Sequence, residues 1–323
     1  MSVSRRVAAA LLVLCGCSVA SSASVTTTTI PVVPATSEAT TTIAPPARPR
    51  APTGDSVETM THDGLERRYL LHVPTDLPPD RMVPLVLVLH GAGGDPEDIE
   101  AGSGWNAIAD DRGIVVAYPE GEGGDWNAGA CCGVAVREDH DDVGFLNALV
   151  DHLVGFAQVD PARVVVIGHS NGGMMAYRLA CDPDSKVAGL VSVAGTNMAG
   201  CAPAHPVSFM EVHGTADRVV PFDGGSTPES EAAGLPPLTP VEVSVTWMVQ
   251  ALACASTPDE TTVAKTTTQT WSGCRGGSMV RFVTLTGSGH SWPTGRSFDA
   301  TTAIADFFFG DLGSREATAT TTG

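Results

Sequence analysis

The stretch Val164-Val165-Val166-Ile167-Gly168-His169-Ser170-Asn171-Gly172-Gly173 narrows the folds open to this chain more than any other feature. Four β-branched residues in succession, with no polar break, call for burial on both faces, as in a strand inside a parallel sheet. Glycines then stand where side chains would clash in a sharp reversal, and a helical pattern follows. Ser170 sits at the apex of a strand that turns abruptly into a helix. Such a turn lifts the hydroxyl above the carboxyl edge of the sheet and aims a helix N-terminus at any negative charge that develops there. The G-x-S-x-G spacing says little alone; the buried strand before it, the helix after it and the third glycine, Gly173, give it weight.

The rest of the chain agrees with that frame. Val57, Met60, Leu65, Tyr69, Leu71 and Val73 alternate around His62-Asp63-Gly64, the pattern of an antiparallel hairpin. Short apolar runs predict buried strands at Val83 to Leu89, Ile114 to Tyr118, Arg163 to Gly168, Ala188 to Ala194, Val207 to Val212 and Val280 to Leu285. Helical spacing lies between them, at Trp105 to Asp111, Asp141 to Phe156, Gly172 to Cys181 and Val241 to Ala253, and again near Asp299 to Phe309. Strands alternating with helices imply an α/β fold: a doubly wound, mostly parallel sheet with antiparallel N-terminal strands. Pro221 to Pro240 reads as a surface loop and not as a large lid.

A serine hydroxyl is a weak nucleophile at neutral pH and needs a base, itself oriented by a carboxylate. On this kind of elbow those partners follow in the order acid, then histidine. His213-Gly214-Thr215-Ala216-Asp217 follows the strand ending at Val212, which makes Asp217 the candidate acid, with Asp223 further along the loop as its rival. Thr286-Gly287-Ser288-Gly289-His290 follows the last strand, and no histidine comes later, so His290 is the candidate base; His213 is better read as structural. An oxyanion needs two N–H donors. Asn171 supplies one, and the turn His90-Gly91-Ala92-Gly93-Gly94 the other, with Ala92 preferred and Gly91 and Gly93 left as alternatives. This turn matches neither a GxxxxGK[ST] loop nor a dinucleotide fingerprint.

The ends of the chain have a different composition. Arg5 and Arg6 precede the apolar stretch Val7 to Leu14, as in an export signal. Leu14-Cys15-Gly16-Cys17 resembles a bacterial lipobox, which makes Cys17 the expected lipid anchor; an ordinary signal cut near Ala20 to Ala23 is the competing reading. The expected organisation is a lipoprotein-type signal at 1–16, a Thr/Pro-rich disordered tether at 17–55, a catalytic domain at 56–312 and a disordered tail at 313–323. The expected location is extracellular or in the cell envelope, with membrane contact through the anchor only. Lys and Arg number 18 against 36 Asp and Glu, a net charge of −18, which disfavours nucleic acid.

Apart from Cys15 and Cys17, six cysteines remain: Cys131, Cys132, Cys181, Cys201, Cys254 and Cys274. In an exported chain they suggest disulfides, and none has zinc-type spacing, so no metal site is expected. Cys254 and Cys274 flank one strand region and are the favoured pair.

Six ordered pieces carry a resemblance: His90-Gly91-Ala92-Gly93-Gly94; Trp126-Asn127-Ala128-Gly129-Ala130-Cys131-Cys132-Gly133; Asp141-Asp142-Val143-Gly144-Phe145; His169-Ser170-Asn171-Gly172-Gly173-Met174-Met175; His213-Gly214-Thr215-Ala216-Asp217; and Gly289-His290-Ser291-Trp292-Pro293. Over roughly Thr59 to Phe309 the chain resembles the poly(3-hydroxybutyrate) depolymerase and feruloyl/acetylxylan esterase family of the α/β-hydrolase fold, especially its actinobacterial lipoprotein members. The resemblance implies a serine esterase that forms an acyl-enzyme on a small or polymeric ester, with no metal or organic cofactor; a monomer is expected. Trp126 and Trp292, which bracket the site in this reading, are candidates for a substrate-facing wall or for core packing. A cell-envelope acyltransferase of the same fold is the alternative, and a catalytically inactive surface binding protein is the reading from a different class.

Overall fold

A computed structural model describes residues 51–78, 81–156, 158–232 and 234–312. The expected signal, the anchor Cys17, the tail from 313 and the tether up to residue 50 lie outside the described residues.

The buried runs become the centre of a ten-stranded sheet. In chain order the strands are β1 (Gly54–His62), β2 (Leu65–Val73), β3 (Val83–Leu89), β4 (Val115–Pro119), β5 (Val159–His169), β6 (Gly189–Val193), β7 (Ser208–Gly214), β8 (Asp259–Val263), β9 (Thr266–Trp271) and β10 (Val280–Leu285). Across the sheet they run β1-β2-β4-β3-β5-β6-β7-β10-β9-β8. From β4 to β10 all neighbours are parallel, whereas β1, β2, β9 and β8 pair antiparallel. The antiparallel start was expected; the antiparallel end is an addition. The β1–β2 hairpin turns at Asp63 and Gly64, both with positive φ (47° and 77°), which suits a two-residue Asp-Gly loop. β1 begins at Gly54, and Ala51 is buried.

Helices cover both faces. They are α1 (Pro96–Ser103), α2 (Trp105–Arg112), α3 (Gly133–Arg137), α4 (Asp142–Phe156), α5 (Asn171–Ala180), α6 (Pro228–Ala232), α7 (Val241–Ala251) and α8 (Ala300–Phe309). The period-2 alternation of each strand divides the core between the two faces. Leu85, Leu87 and Leu89 of β3 belong to the core layer that includes residues of α4, α5 and α7, while Val86 and Val88 belong to the layer with Ile99, Trp105, Ala109, Ile304 and Phe309 of α1, α2 and α8. This is why β3 reads as an unbroken apolar run, and each such buried side chain contributes about 1.5–3 kcal/mol relative to exposure. Among its described residues the 221–240 segment contains the single-turn helix α6 and a bridge between Gly225 and Leu238, in keeping with a surface loop. No described helix is long and apolar enough to cross a membrane.

Among the described residues three disulfides are present: Cys254 with Cys274, as expected, Cys181 with Cys201, and the adjacent pair Cys131 with Cys132.

Candidate active site

The strand-to-helix turn has the geometry its sequence demands. Ser170 lies between β5 and α5 with φ 54° and ψ −119°, a conformation a non-glycine residue holds only under constraint. Its N–H is fixed to Val193 O of β6 at 2.8 Å. Gly172 is required by proximity: a Cβ there would stand 2.5 Å from His90 O and 2.6 Å from Leu89 O, both backbone atoms at the end of β3.

Asp217 and His290 arrive from loops after β7 and β10. His290 Nε2 is 2.9 Å from Ser170 Oγ, and its Nδ1 is 2.7 Å from Asp217 Oδ2. Asp217 Oδ1 accepts from the N–H groups of Val219 (2.9 Å) and Val220 (2.8 Å), so the loop's own backbone locks the carboxylate. Burial pushes the Asp217 carboxyl up, but bonds from His213 and His290 outweigh it and hold the group well below the usual carboxylate range. An ionised Asp217 requires the His290 proton on Nδ1, which leaves Nε2 free to accept from the serine hydroxyl. The rival Asp223 is exposed.

The glycine-rich turn after β3 lies against the serine: a Cβ on Gly91 would be 3.3 Å from Ser170 Cβ. Gly93 N–H is taken by Gly124 O at 2.8 Å, and Gly94 N–H by Gly91 O at 3.1 Å. Gly93 is thereby removed as a donor, leaving Ala92 and Gly91. Asn171, the first residue of α5, has an N–H with no acceptor inside its helix. His90 anchors the turn: its Nδ1 donates to Gly91 O (2.8 Å) and its Nε2 accepts from Gly121 N–H (2.9 Å), which dictates a neutral ring. Burial, the largest influence on His90, lowers its affinity for a second proton.

One expectation needs correcting. Trp126 does not face a substrate; it is fully buried, its indole N–H donates to His90 O at 3.0 Å, and its backbone N–H donates to Asn171 Oδ1 at 2.7 Å. It ties the two donor-bearing segments together from below. Trp292 is half-buried and lines a cleft of about 280 Å³ with Ala92, Gly93, Asp98, Ile99 and His169, beside the serine. His169, whose ring centre is 5.1 Å from that of His290, is pushed down to about 4, first by burial and next by His290.

Several residues that hold the site carried no assigned role in the sequence. Arg67 and Asp142 are buried together, with Arg67 Nη2 donating to Asp142 Oδ1 at 2.8 Å, and Asp142 Oδ2 accepting from Asn127 N–H at 2.7 Å. This pair pins the segment that contains Trp126. The Asn171 side chain, through Nδ2, also donates to Trp126 O at 3.1 Å. Behind Asp217 stand His213 and Glu211, both buried. The signal for Glu211 was available: one acidic residue inside the buried run Phe209-Met210-Glu211-Val212. Among the described residues, no group of three or more His, Cys, Asp or Glu side chains is arranged to hold a metal ion.

Known proteins resemble both the sequence and the fold. The model of the Prolyl oligopeptidase family matches residues 103–315. "Putative esterase NocK" of Nocardia uniformis subsp. tsuyamanensis is 38% identical over 268 residues, covering 76% of this chain and 77% of that protein. Feruloyl esterase B of Piromyces equi is 27% identical over 71% of this chain, which spans 44% of that longer protein. Among solved structures, acetyl xylan esterase from Aspergillus awamori superposes with a TM-score of 0.56 at 15% identity, over 80% of this chain and 100% of that one. Apo Thermogutta terrifontis esterase 2 gives 0.51 at 18% identity, over 80% and 95%. Both share the large parallel sheet. The chain belongs to the prolyl oligopeptidase family and is an esterase of the α/β-hydrolase fold.

Proposed function

We propose that Ser170, His290 and Asp217 form the catalytic triad of a serine carboxylic-ester hydrolase. The observation that carries this is the continuous pair of contacts from Asp217 Oδ2 to His290 Nδ1 (2.7 Å) and from His290 Nε2 to Ser170 Oγ (2.9 Å). In this reading Ser170 Oγ attacks the ester carbonyl as its proton passes to His290 Nε2, and Asp217 steadies the resulting imidazolium. The N–H groups of Asn171 and Ala92 receive the developing oxyanion. His290 returns the proton to the leaving alcohol; a water, deprotonated by the same imidazole, then releases the acid and frees Ser170.

The substrate class is read as feruloyl-, acetyl- or polyhydroxyalkanoate-type esters. The names of two relatives, Feruloyl esterase B and the bifunctional acetylxylan esterase/xylanase XynS20E of Neocallimastix patriciarum, support the first two. The third rests on the six sequence pieces alone. The cleft beside Trp292 and His169 offers a half-apolar surface for one side of such an ester. An exported protein anchored at Cys17 is part of the same reading and rests on Arg5, Arg6 and the Leu14-Cys15-Gly16-Cys17 run.

A fluorophosphonate probe tests the assignment. Labelling of the unaltered chain, lost in Ser170→Ala, is the expected result; equal labelling of both proteins would remove Ser170 as nucleophile. Methyl ferulate, p-nitrophenyl acetate and hydroxybutyrate oligomers, assayed with and without a sugar acceptor, then rank the substrates. Loss of ester without release of free acid would replace hydrolysis by acyl transfer.

A further inference from the structure

The triad does not end at Asp217. Oδ2 of that residue, which receives His290 Nδ1, also lies 3.5 Å from Nε2 of His213, and neither His213 nor Asp217 exposes its side chain. The same His213 nitrogen is 2.9 Å from Val220 O. A carbonyl only accepts, so Nε2 carries a proton. The other ring nitrogen, Nδ1, is 3.2 Å from Glu211 Oε1, and Tyr177 donates its hydroxyl to Glu211 Oε2 at 2.9 Å. Glu211 therefore accepts from Tyr177 on one oxygen and faces the imidazole with the other. With Glu211 ionised, that oxygen accepts from Nδ1 and the second ring proton stays on His213.

We propose that His213, held as a cation by Glu211, is a positioning residue that fixes the Asp217 carboxylate and moderates how strongly His290 binds its proton. The proposal rests on the triad reading given above. A fully buried glutamate stays ionised only where it is paired and hydrogen-bonded, and His213 and Tyr177 are the partners Glu211 has. Burial alone pushes His213 down, yet the bonds to Asp217 and Glu211 outweigh it and leave the ring pushed up to about 9. Burial raises Glu211, and the His213 bond opposes that rise. The other titratable groups around the ring are Tyr177 of α5, kept protonated by burial and by Glu211, together with His169 of β5 and His290, the first of which stays neutral at about 4. Phe222 closes the remaining side with its ring centre 6.1 Å away.

With a cation already beside Asp217, the carboxylate gives less of its field to His290. Removing that cation should make His290 a stronger base and move the acid limb of kcat/KM to higher pH. A side chain that only fills space would change stability and leave the limb in place.

Two measurements on the full chain test this. In the unaltered protein labelled with ¹⁵N-histidine, NMR at pH 7.5 is expected to show both ring nitrogens of His213 protonated. In His213→Gln, the acid limb for p-nitrophenyl acetate should rise by about one pH unit. An unprotonated Nδ1 in the first experiment, or an unmoved limb in a folded His213→Gln, overturns the proposal. If that variant does not fold, the NMR result decides. Ser170→Ala separates the two levels: turnover surviving in it defeats the triad reading itself, whereas a dead Ser170→Ala with an unmoved limb in His213→Gln defeats only the role given to His213.

Discussion

In the proposed triad, each of the three side chains is held by a bond that the rest of the molecule dictates. The serine is fixed by its strained turn, the histidine by the carboxylate, and the carboxylate by the backbone of its own loop. Replacing Ser170 or His290 by alanine is expected to lower kcat about 10⁴–10⁶-fold with an unchanged circular dichroism spectrum. Retention of a tenth of the activity by either variant would exclude that residue from the role given to it. His169 makes a second prediction. In an unfolded chain a histidine titrates near 6.5, whereas this one is held down at about 4. Between about pH 6.5 and pH 4 the unfolded chain therefore takes a proton that the folded chain refuses, so stability falls across that window. Urea titrations at pH 7 and pH 5 should show the drop, and His169→Gln should make it smaller; an equal drop in both proteins would assign it to other groups.

At the level of elements, the sequence was most readable where burial was complete. β3, β4 and residues 164–168 of β5 are buried throughout, so nothing in those stretches needs to be polar, and their apolar runs announced them. β8 and β9 were harder to see. They form the far edge, every residue of β8 is exposed, and their threonine-rich sequence lacks any buried stripe. α1 and α3 were missed because each is short, and α1 buries only Pro96, Ile99 and Ser103. Among site residues, the triad and the turn after β3 stood out because glycines and chain order mark them. Trp126 was left between two readings, substrate wall or core, because an aromatic residue near a site reads alike whether it faces a ligand or supports a loop; its burial selects the second. Arg67 and Asp142 lie 75 positions apart, and only the fold joins them. The edge hairpin offers a prediction of its own. The Cys254–Cys274 bridge closes a 20-residue separation around it, so the double change Cys254→Ser, Cys274→Ser should cost about 3 kcal/mol of stability while kcat stays the same. Chemical unfolding monitored by fluorescence checks the first part; a loss of kcat would show that the hairpin reaches the site.

The whole molecule places its working groups along one edge of one sheet. Among the described residues, the proposed triad and both core layers fall between Ala51 and Leu312. A chain cut to residues 51–312 is therefore expected to fold and to cleave p-nitrophenyl acetate with the same kcat/KM as the full chain, and a cut chain that folds but is inactive would show that residues outside this range take part. Ser170 follows β5, Asp217 follows β7 and His290 follows β10, and the last two contacts bridge 120 and 73 positions of sequence. In the proposed triad the three groups can meet only once β10 lies beside β7, so the site would be a property of the assembled sheet and of no single segment.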